Sequence, residues 1–426
     1  MKVLNYYPED INLFKEQALQ WATSFEVASY FDSNGYSDPY TSFDVMITAG
    51  SVAELTTEAG SAFQQLKELL NEHKTFIAGF LSYDLKNELE NLHSKNQDRL
   101  ELDDLFFFIP LHVLLIQGNK VSLYTSEEDI FSHINSQIIR SGNVSFQAAV
   151  KSRFSRHEYI AAVGLIQEHI ARGDIYEMNF CQEFYAEDVQ IDPVQVFKTL
   201  NKTSPAPFAS FLKYNQKYLI SASPERFICR KGNKVISQPI KGTAPRSSDP
   251  GEDIQRMKEL RTDEKEVAEN VMIVDLVRND LTKCALPGSV KVEELFGIYS
   301  FPQVHQMIST ISCRVSSDAN NADIIAAAFP MGSMTGAPKV RAMEIIEKYE
   351  RTKRGLFSGA VGYFAPDGDF DFNVVIRSLI YNAENHYLSF QTGSAITFAS
   401  DPAREYDECL LKAKAIFTAL DKELTE

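Results

Sequence analysis

A short hairpin pattern in the middle of the chain, followed at once by a proline and a lysine, most constrains how this sequence can fold. Residues 227–229 and 235–237 are β-type runs, and residues 231–234 between them are typical of a turn. Pro239 follows directly, and proline cannot donate a hydrogen bond to a sheet ladder. The sequence therefore predicts a hairpin whose second strand lies at a sheet edge or is bulged just before Lys241.

Lys241 lies at the open end of this hairpin, roughly opposite Glu225 if the turn is centred near Gly232 and Asn233. Cross-strand partners lie about 5 Å apart. If the pair is exposed, it is an ordinary ion pair worth less than about 1 kcal/mol. If it is buried in a pocket, the lysine becomes a nucleophile or base beside an acid, each with a shifted pKa. The hairpin alone leaves both interpretations open.

The composition excludes several classes of function. The chain has 426 residues, enough for one large or two ordinary domains, and its formal net charge of −16 argues against a nucleic-acid binder. A run of about 18 apolar residues and a signal-peptide core are both absent, so we expect no membrane partner. Five scattered cysteines without a Cys-x-x-Cys motif indicate reduced cytoplasmic thiols rather than disulfides or zinc: Cys181, Cys229, Cys284, Cys313 and Cys409.

The first 150 residues form a β-rich region that we interpret as part of a larger core, without a catalytic cluster. Helices are predicted over 12–25 and 62–70, and strands over 26–33, 43–49, 76–83, 106–116 and 120–124. A polar stretch, 141–155, is predicted to connect this region to a second one. There, a helix over 156–172 and strands over 175–180 and 218–223 lead to the hairpin.

The second region carries two acidic pairs on predicted helices. Glu266 and Glu269 lie three residues apart on a helix over 263–281, so they share a face. Glu405 and Glu408 repeat that spacing on the helix that runs to residue 420. Such pairs usually only solvate a helix, and spacing does not show that the two helices meet. If they do meet, their oxygens suit a hard cation such as Mg²⁺.

Two further segments are candidates for binding an anion. A Gly/Ser/Thr-rich loop, 329–339, runs into a predicted helix over 340–350, where free N–H groups favour an anion and an ordinary helix start is equally compatible. A hairpin pattern follows over 358–364 and 370–381, and its second strand carries Arg377 in an apolar run. A buried arginine needs a partner, which is either a substrate carboxylate held in a bidentate fork or a structural ion pair.

Four motifs together resemble the motif series of the chorismate-utilising enzymes. In chain order they are Pro239-Ile-Lys-Gly-Thr, Asp275-Leu-Val-Arg-Asn-Asp280, Gly332-Ser-Met-Thr-Gly-Ala-Pro-Lys339 and Glu405-Tyr-Asp-Glu408, and they match over about residues 155–420, with weaker likeness at 28–33 and 79–84. The resemblance implies an α+β fold, with two large, mostly antiparallel sheets packed as a sandwich and helices outside. It also implies an N-terminal anthranilate synthase component I-like region, 1–150, and a chorismate-binding catalytic region, 151–426.

Within the family, the subgroup depends on Lys241. Anthranilate synthase large subunits typically have alanine there, whereas component I of aminodeoxychorismate synthase typically has lysine. The resemblance therefore implies amination of chorismate to 4-amino-4-deoxychorismate, for p-aminobenzoate and folate. In that family mechanism the neutral lysine attacks ring C2, Glu225 acts as general acid on the departing C4 hydroxyl, and ammonia adds at C4 and expels the lysine. Two alternatives are anthranilate synthesis, with Lys241 a bystander, and a non-catalytic chorismate-binding subunit.

The resemblance also assigns the rest of the site. Glu269, Glu405 and Glu408 match the Mg²⁺ ligands, with Glu266 close by. Arg377 and a turn at Gly393-Ser-Ala-Ile396 match the grip on the substrate carboxylate, and His305 matches a histidine near the ring, with a core histidine as the alternative. The full set of expected substrate-binding residues is Arg377, Tyr363, Thr335, Gly393, Ser394, Ala395, His305, Lys339 and Thr243.

Two positions depart from the family pattern. Glu177 stands where amination enzymes usually carry glutamine and where isochorismate and salicylate synthases carry a base lysine; a carboxylate there can hydrogen-bond as glutamine does or accept the ammonia proton. Gly393-Ser-Ala replaces a run of glycines, which predicts a slightly tighter pocket. No amidotransferase module is evident, so we expect ammonia from a separate glutaminase subunit. The Asp32-Ser-Asn segment resembles the place where relatives hold tryptophan, without deciding whether this chain binds it.

Overall fold

The computed structural model describes residues 2–139, 146, 148–301 and 304–422. Residues 141–145 and 147 of the predicted connection lie outside them. The strands are β1 (Lys2–Tyr6), β2 (Val27–Asp32), β3 (Val45–Thr57), β4 (Ile77–Leu81), β5 (Leu105–Gln117), β6 (Lys120–Thr125), β7 (Lys151–Ser152), β8 (Glu177–Ala186), β9 (Phe208–Tyr214), β10 (Lys217–Ser223), β11 (Arg226–Lys231), β12 (Lys234–Gln238), β13 (Ile240–Pro245), β14 (Lys291–Ser300), β15 (Val304–Arg314), β16 (Gly336–Ala337), β17 (Ala360–Phe364), β18 (Phe370–Val374), β19 (Ser378–Asn382) and β20 (Tyr387–Ile396).

The helices are α1 (Ile11–Ala22), α2 (Ala62–Glu72), α3 (Lys86–Leu89), α4 (Ile130–Asn135), α5 (Arg156–Ala171), α6 (Pro193–Thr203), α7 (Pro250–Thr262), α8 (Glu264–Thr282), α9 (Asn321–Ala328), α10 (Lys339–Tyr349) and α11 (Pro402–Ala419). Short 3-10 turns occupy Tyr83–Leu85 and Gly332–Met334. Most predicted elements are confirmed to within a few residues at each end.

The strands pair antiparallel in two arms that join at β5. One arm runs β8–β20–β19–β10–β9–β2–β3–β5. The other runs β4–β17–β18–β11–β12–β15–β14. β5 pairs with β3 on one side and with β4 on the other. The predicted regions 1–150 and 151–426 therefore share both arms, because β2 pairs with β9 and β4 pairs with β17.

The arms face each other across a shared core, with helices on the outer faces. Side chains alternate along β5 as in any strand: Phe106 and Phe108 belong to the core between the arms, and Phe107 to a cluster on the other side. That second cluster contains buried residues of α2, α8 and α9, such as Leu66 and Ile273. Residues of α1, α6 and α11 cover the first arm in the same way. The predicted α+β sandwich with outer helices is confirmed.

Two predictions from composition can be compared with the structure. All five cysteines are free thiols, as expected for a chain without a disulfide framework. Over the described ranges, no helix combines the length and the apolar character that crossing a membrane requires.

Candidate active site

Lys241 lies in a β-bulge. β12 and β13 pair with β15 in one continuous register up to Ile240, and the register shifts before Thr243. Gly242 has φ +95°, a backbone conformation that favours glycine, and a Cβ there would approach Oε2 of Glu266 to 3.1 Å. The predicted bulge is therefore confirmed, whereas the edge alternative is wrong, since β12 lies between β11 and β15. Bulges re-aim side chains, and this one presents Lys241 to the cluster described below.

Glu177 is the ion-pair partner of Lys241. Nζ of Lys241 lies 3.0 Å from Oε1 of Glu177, which is fully buried at the first residue of β8. The sequence predicts Glu225 roughly opposite Lys241 across the hairpin, but the two residues are not paired in the sheet. A register shift between Arg226 and Cys229 displaces that end of the hairpin, and β13 leaves β11 to follow β15. Glu225 nevertheless acts on Lys241 electrostatically.

Glu225 is a buried acid poised near neutral pH. It follows β10, and its Oε1 accepts a hydrogen bond of 2.6 Å from the Ser333 hydroxyl. Burial raises its pKa to about 7, although the hydrogen bond from Ser333 and the charges of Lys241 and Arg377 oppose that rise. At pH 7 the carboxyl is therefore present in both protonation states, as a general acid or base requires.

Lys241 is an ammonium ion in the resting structure. Burial by itself would favour the neutral amine, but the nearby carboxylates of Glu177, Glu269 and Glu225 outweigh it and raise the pKa of the lysine. The side chain is only 10 % exposed. A lysine in this state has to transfer its proton before it can act as a nucleophile.

The first turns of α8 and α11 both carry acidic residues, and they lie close together near Lys241. Asp263 caps α8 and Asp401 caps α11, each accepting backbone N–H bonds in the first turn. Nζ of Lys265 lies 3.8 Å from Oε1 of Glu269 on α8 and 3.7 Å from Oε1 of Glu405 on α11. The contact between the two predicted helices, which spacing alone left open, is therefore present.

The oxygens of these carboxylates are suitable ligands for a hard cation. Oε1 of Glu269 is buried without a hydrogen-bond partner, and burial raises the pKa of this residue to about 7. Glu266 also has its pKa raised by burial, while Glu408 forms a 2.7 Å ion pair with Lys412. In the described part of the chain, no three ligating side chains converge on one point. A bound cation would therefore replace the ammonium of Lys265 and draw the glutamates together.

Arg377 lies between two strands. The predicted continuous strand over 370–381 is wrong, because β18 ends at Val374 and Arg377 adopts a left-handed conformation, φ +50°, before β19. Among the described residues its guanidinium forms no salt bridge. Burial lowers its pKa, and Glu225 is the charged group that counteracts this. A half-buried guanidinium without an ion-pair partner suits an incoming anion.

The segment at Gly393 is a strand. β20 pairs with β8 along its whole length through Ile396, so the predicted turn is wrong. A Cβ at Gly393 would lie 2.4 Å from the Phe180 carbonyl oxygen and from the Cys181 sulfur, which explains the glycine. Ser394 is buried, and Ala395 is paired with Asn179.

The loop over 329–339 closes against β8. Gly336 and Ala337 form β16, and the Thr335 hydroxyl donates within the loop to the carbonyls of Met331 and Gly332. The loop thereby delivers Ser333 to Glu225. α10 then begins, and neither the anion nor the plain helix-start interpretation is tested by these contacts.

Four expected binding residues lie outside this contact network. Thr243 is exposed on β13. Lys339 donates to Asp280 at 2.8 Å. Both ring nitrogens of buried His305 have protein partners, Ser300 at 2.8 Å and Asp253 at 2.9 Å, as the core alternative requires. Tyr363 packs against Phe31 and Phe43.

Two cavities border residues of the expected site. One of about 320 Å³ borders Glu225 and Ser333 and extends towards Asp280 at the end of α8. The other, of about 400 Å³, is lined by Tyr363 together with Asp32 and Ser33, the segment that resembles a tryptophan site. Glu225 lines the first cavity, and Lys241 lines neither of the two.

Sequence reasoning missed three features of the site. The Glu177 contact and the Ser333 contact join residues 64 and 108 positions apart, and no local pattern indicates either. Lys265 had a signal, because it lies four residues before Glu269 and the i,i+4 spacing places both on one face of α8.

The two paired arms with helices on their outer faces form an α+β fold of the anthranilate synthase component I type. The candidate site in this fold is a lysine among carboxylates. The crystal structure of anthranilate synthase component I from Streptococcus pneumoniae TIGR4 superposes with a TM-score of 0.78 at 26% identity, covering 89% of this chain and 93% of that one. A family model described as chorismate binding enzyme matches residues 20–418, and the chain belongs to this family.

Curated relatives of two kinds are similar to this chain. Aminodeoxychorismate synthase component 1 of Escherichia coli K12 is 35% identical over 422 residues, which covers 91% of this chain and 92% of the relative. Anthranilate synthase component 1 of Thermus thermophilus is 33% identical over 359 residues, which covers 81% and 77%. Overall similarity thus supports the family. It does not distinguish aminodeoxychorismate from anthranilate as the product, so that distinction depends on the residues of the site.

Proposed function

We propose that this chain catalyses the amination of chorismate to 4-amino-4-deoxychorismate, the reaction of aminodeoxychorismate synthase component I. The observation that carries the proposal is the buried lysine, Lys241, held in a bulge between Glu177 and the acid Glu225. A relative 35% identical over nearly the whole chain is named for this activity.

Covalent catalysis is the first part of the mechanism. Neutral Nζ of Lys241 attacks ring C2 of chorismate while the C4–oxygen bond breaks, so a hard displacement is divided into two easier ones. Ammonia then adds at C4 and the lysine leaves from C2. The burial of Glu225 and of most of the Lys241 side chain supports this chemistry, because it limits competition from water.

Acid catalysis by Glu225 is the second part. The hydroxyl at C4 departs as water when Glu225 supplies a proton, and its pKa of about 7 keeps a protonated fraction at physiological pH. The hydrogen bond from Ser333 fixes the carboxyl orientation. This contact assigns Ser333 to positioning the acid.

Charge complementarity to the substrate is the third part. Arg377, half-buried and without a salt bridge among the described residues, would bind a substrate carboxylate. Glu269, Glu405 and Glu408, with Glu266 beside them, would hold a Mg²⁺ ion that supplies positive charge to an anionic substrate. Lys265, now between Glu269 and Glu405, would have to give way.

Ammonia would come from a separate glutaminase subunit, since relatives are named component 1. The product would serve p-aminobenzoate and folate biosynthesis in the cytoplasm. The same enzyme would use free ammonium in vitro.

Anthranilate synthesis is the second candidate, because anthranilate synthase component 1 of Thermus thermophilus is 33% identical to this chain. In that reaction Lys241 would have no covalent role. The two candidates therefore differ in the product and in their dependence on one amine.

Product identification by mass tests the proposal. Purified protein is incubated with chorismate, Mg²⁺ and ammonium, and we expect 4-amino-4-deoxychorismate; anthranilate with pyruvate would refute the proposal, and binding without turnover would indicate a non-catalytic subunit. Lys241→Ala should abolish aminodeoxychorismate formation. A matched control is Lys234→Ala on neighbouring β12, whose lysine pairs with Glu293 at 2.7 Å outside the site and whose loss should leave the product unchanged.

A further inference from the structure

We propose that Glu177 accepts the proton that Lys241 loses before it attacks, an inference that rests on the proposed function. The sequence left the role of this carboxylate open. The contacts of the side chains around Lys241 favour a role as acceptor of the lysine proton.

Glu177 is the nearest proton acceptor to the lysine. Its Oε1 lies 3.0 Å from Nζ, and in the described part of the chain no other carboxylate makes an ion pair with Lys241. Its second oxygen, Oε2, is buried without a hydrogen-bond partner. The carboxylate therefore has an unoccupied oxygen that can carry a proton while Oε1 stays on the lysine.

The backbone around Glu177 holds this arrangement in place. Ala337 of β16 pairs with Glu177, and the N–H of Tyr176 donates to the Ala337 carbonyl at 2.7 Å. Gly336 packs so closely that a Cβ there would lie 2.2 Å from the Glu177 carbonyl oxygen. The carboxylate is thus delivered by a rigid strand pair rather than by a loop.

The other charged groups that face Lys241 have other contacts. Glu269 and Glu266 act on it from α8 and Glu408 from α11, all at longer range than Glu177. Glu269 faces Lys265 and Glu408 pairs with Lys412. Glu225 has to be protonated to release the C4 hydroxyl, so it cannot at the same time hold the lysine proton.

The proton balance closes around these residues. One proton passes from Nζ to Glu177, and the freed electron pair of Nζ forms the bond to C2. The C4–oxygen bond breaks, and the hydroxyl takes a proton from Glu225 to leave as water. When ammonia adds at C4, the electron pair of the C2–nitrogen bond returns to Lys241, which recovers its proton from Glu177. The ammonium formed at C4 can reprotonate Glu225.

The rival role is a tether, in which Glu177 only holds the lysine as an ammonium ion. The variant Glu177→Gln separates the two. A proton acceptor predicts that kcat falls at least about 100-fold at pH 7 with little change in KM, and rises with pH as hydroxide replaces the carboxylate. A tether predicts an equal or higher kcat, because the lysine then becomes neutral more readily, and that result would overturn the proposal.

A second readout is independent of the product. Lys241 reacts with acetic anhydride only as the neutral amine, and peptide mass spectrometry follows this reaction against pH. In Glu177→Gln the pH of half-maximal labelling should fall, because the lysine loses its nearest anion. The tether predicts the same fall, so kcat decides between the two roles, whereas an unchanged labelling profile would overturn both. If the wild type makes anthranilate, the proposed function fails, while the labelling still reports whether Glu177 holds Lys241 in its charged form.

Two more variants complete the design. Glu187→Gln is the matched control, because Glu187 pairs with Lys151 at 2.8 Å just beyond the other end of β8, and both readouts should stay at wild-type values. Glu177→Asp keeps the carboxylate on a shorter side chain and covers the case that the glutamine variant does not fold. It should lose at least about tenfold in kcat, and a wild-type kcat in it would count against proton transfer.

Discussion

Replacing Glu225 with glutamine should make the protein more stable and almost inactive. Glutamine keeps the shape of the side chain and an oxygen that can accept the hydrogen bond from Ser333, but it cannot ionise. The wild-type residue is only 4 % exposed, so its charged form lacks water. The variant removes this cost together with the proton that the proposed reaction needs.

The magnitude follows from the pKa of Glu225, which burial raises from 4.5 to about 7. Below pH 4.5 the carboxyl is neutral in both the folded and the unfolded chain, so wild type and variant do not differ through this group. Between pH 4.5 and 7 only the unfolded chain ionises, and the wild type loses stability; above pH 7 the full cost applies. At about 1.4 kcal/mol per pKa unit, the variant gains about 3 kcal/mol at pH 8 and about 1 kcal/mol at pH 5.

Calorimetric melting at both pH values measures this difference. Unfolding entropy is about 2.1 cal/mol/K per residue, hence about 0.9 kcal/mol/K for this chain, so the gain corresponds to about 3 °C at pH 8 and about 1 °C at pH 5. Activity should fall about 10²- to 10⁴-fold. Glu187→Gln serves as control, because the hydrogen bond from Lys151 lowers the pKa of Glu187 and its removal should bring no gain that grows with pH. A Glu225→Gln protein less stable than wild type at pH 8 would refute the burial argument.

Three other perturbations test separate parts of the site. Gly336→Ala should destabilise the protein by about 1–3 kcal/mol in urea melts, because the added Cβ would overlap the Glu177 carbonyl oxygen. The control is Gly164→Ala in α5, which has free space around it and should be neutral or stabilising. Equal effects of the two variants would contradict the close packing of β16 on β8. Arg377→Met should raise KM for chorismate at least about 100-fold, with Arg377→Lys in between, and an unchanged KM would remove Arg377 from substrate binding. Glu269→Gln should weaken Mg²⁺ binding, measured by calorimetry, at least about tenfold. Lys265→Met should strengthen it, because the Lys265 ammonium lies between Glu269 and Glu405. Unchanged affinities in both variants would place the ion elsewhere.

Local sequence patterns predicted the parts of the fold that depend on local physics. The turn at Gly232, the helix that starts after the Asp263 cap and the bulge at Lys241 and Gly242 all depend on local preferences of single residues. Alternating apolar runs predicted most strands, and the order of four motifs predicted the family. Such features need no knowledge of which distant segment lies opposite.

Register at the end of the hairpin could not be predicted in this way. A one-residue shift between Arg226 and Cys229 changes which side chain faces Lys241, and the pairing of β11 with β18 shifts at the same place. The break at Arg377 was missed for a related reason, because an apolar run indicates burial but does not show where a strand ends.

The sequence by itself determined which chemical groups this protein carries: an amine at Lys241, an acid at Glu225, two acidic pairs on helices and an arginine in an apolar run. Only the tertiary structure decided their partners. Lys241 meets Glu177 across 64 residues, Ser333 meets Glu225 across 108, and α8 meets α11 through Lys265. The physical reason is that protonation and nucleophilicity depend on burial and on charges within a few ångströms, and these distances are set by sheet pairing between segments far apart in the chain.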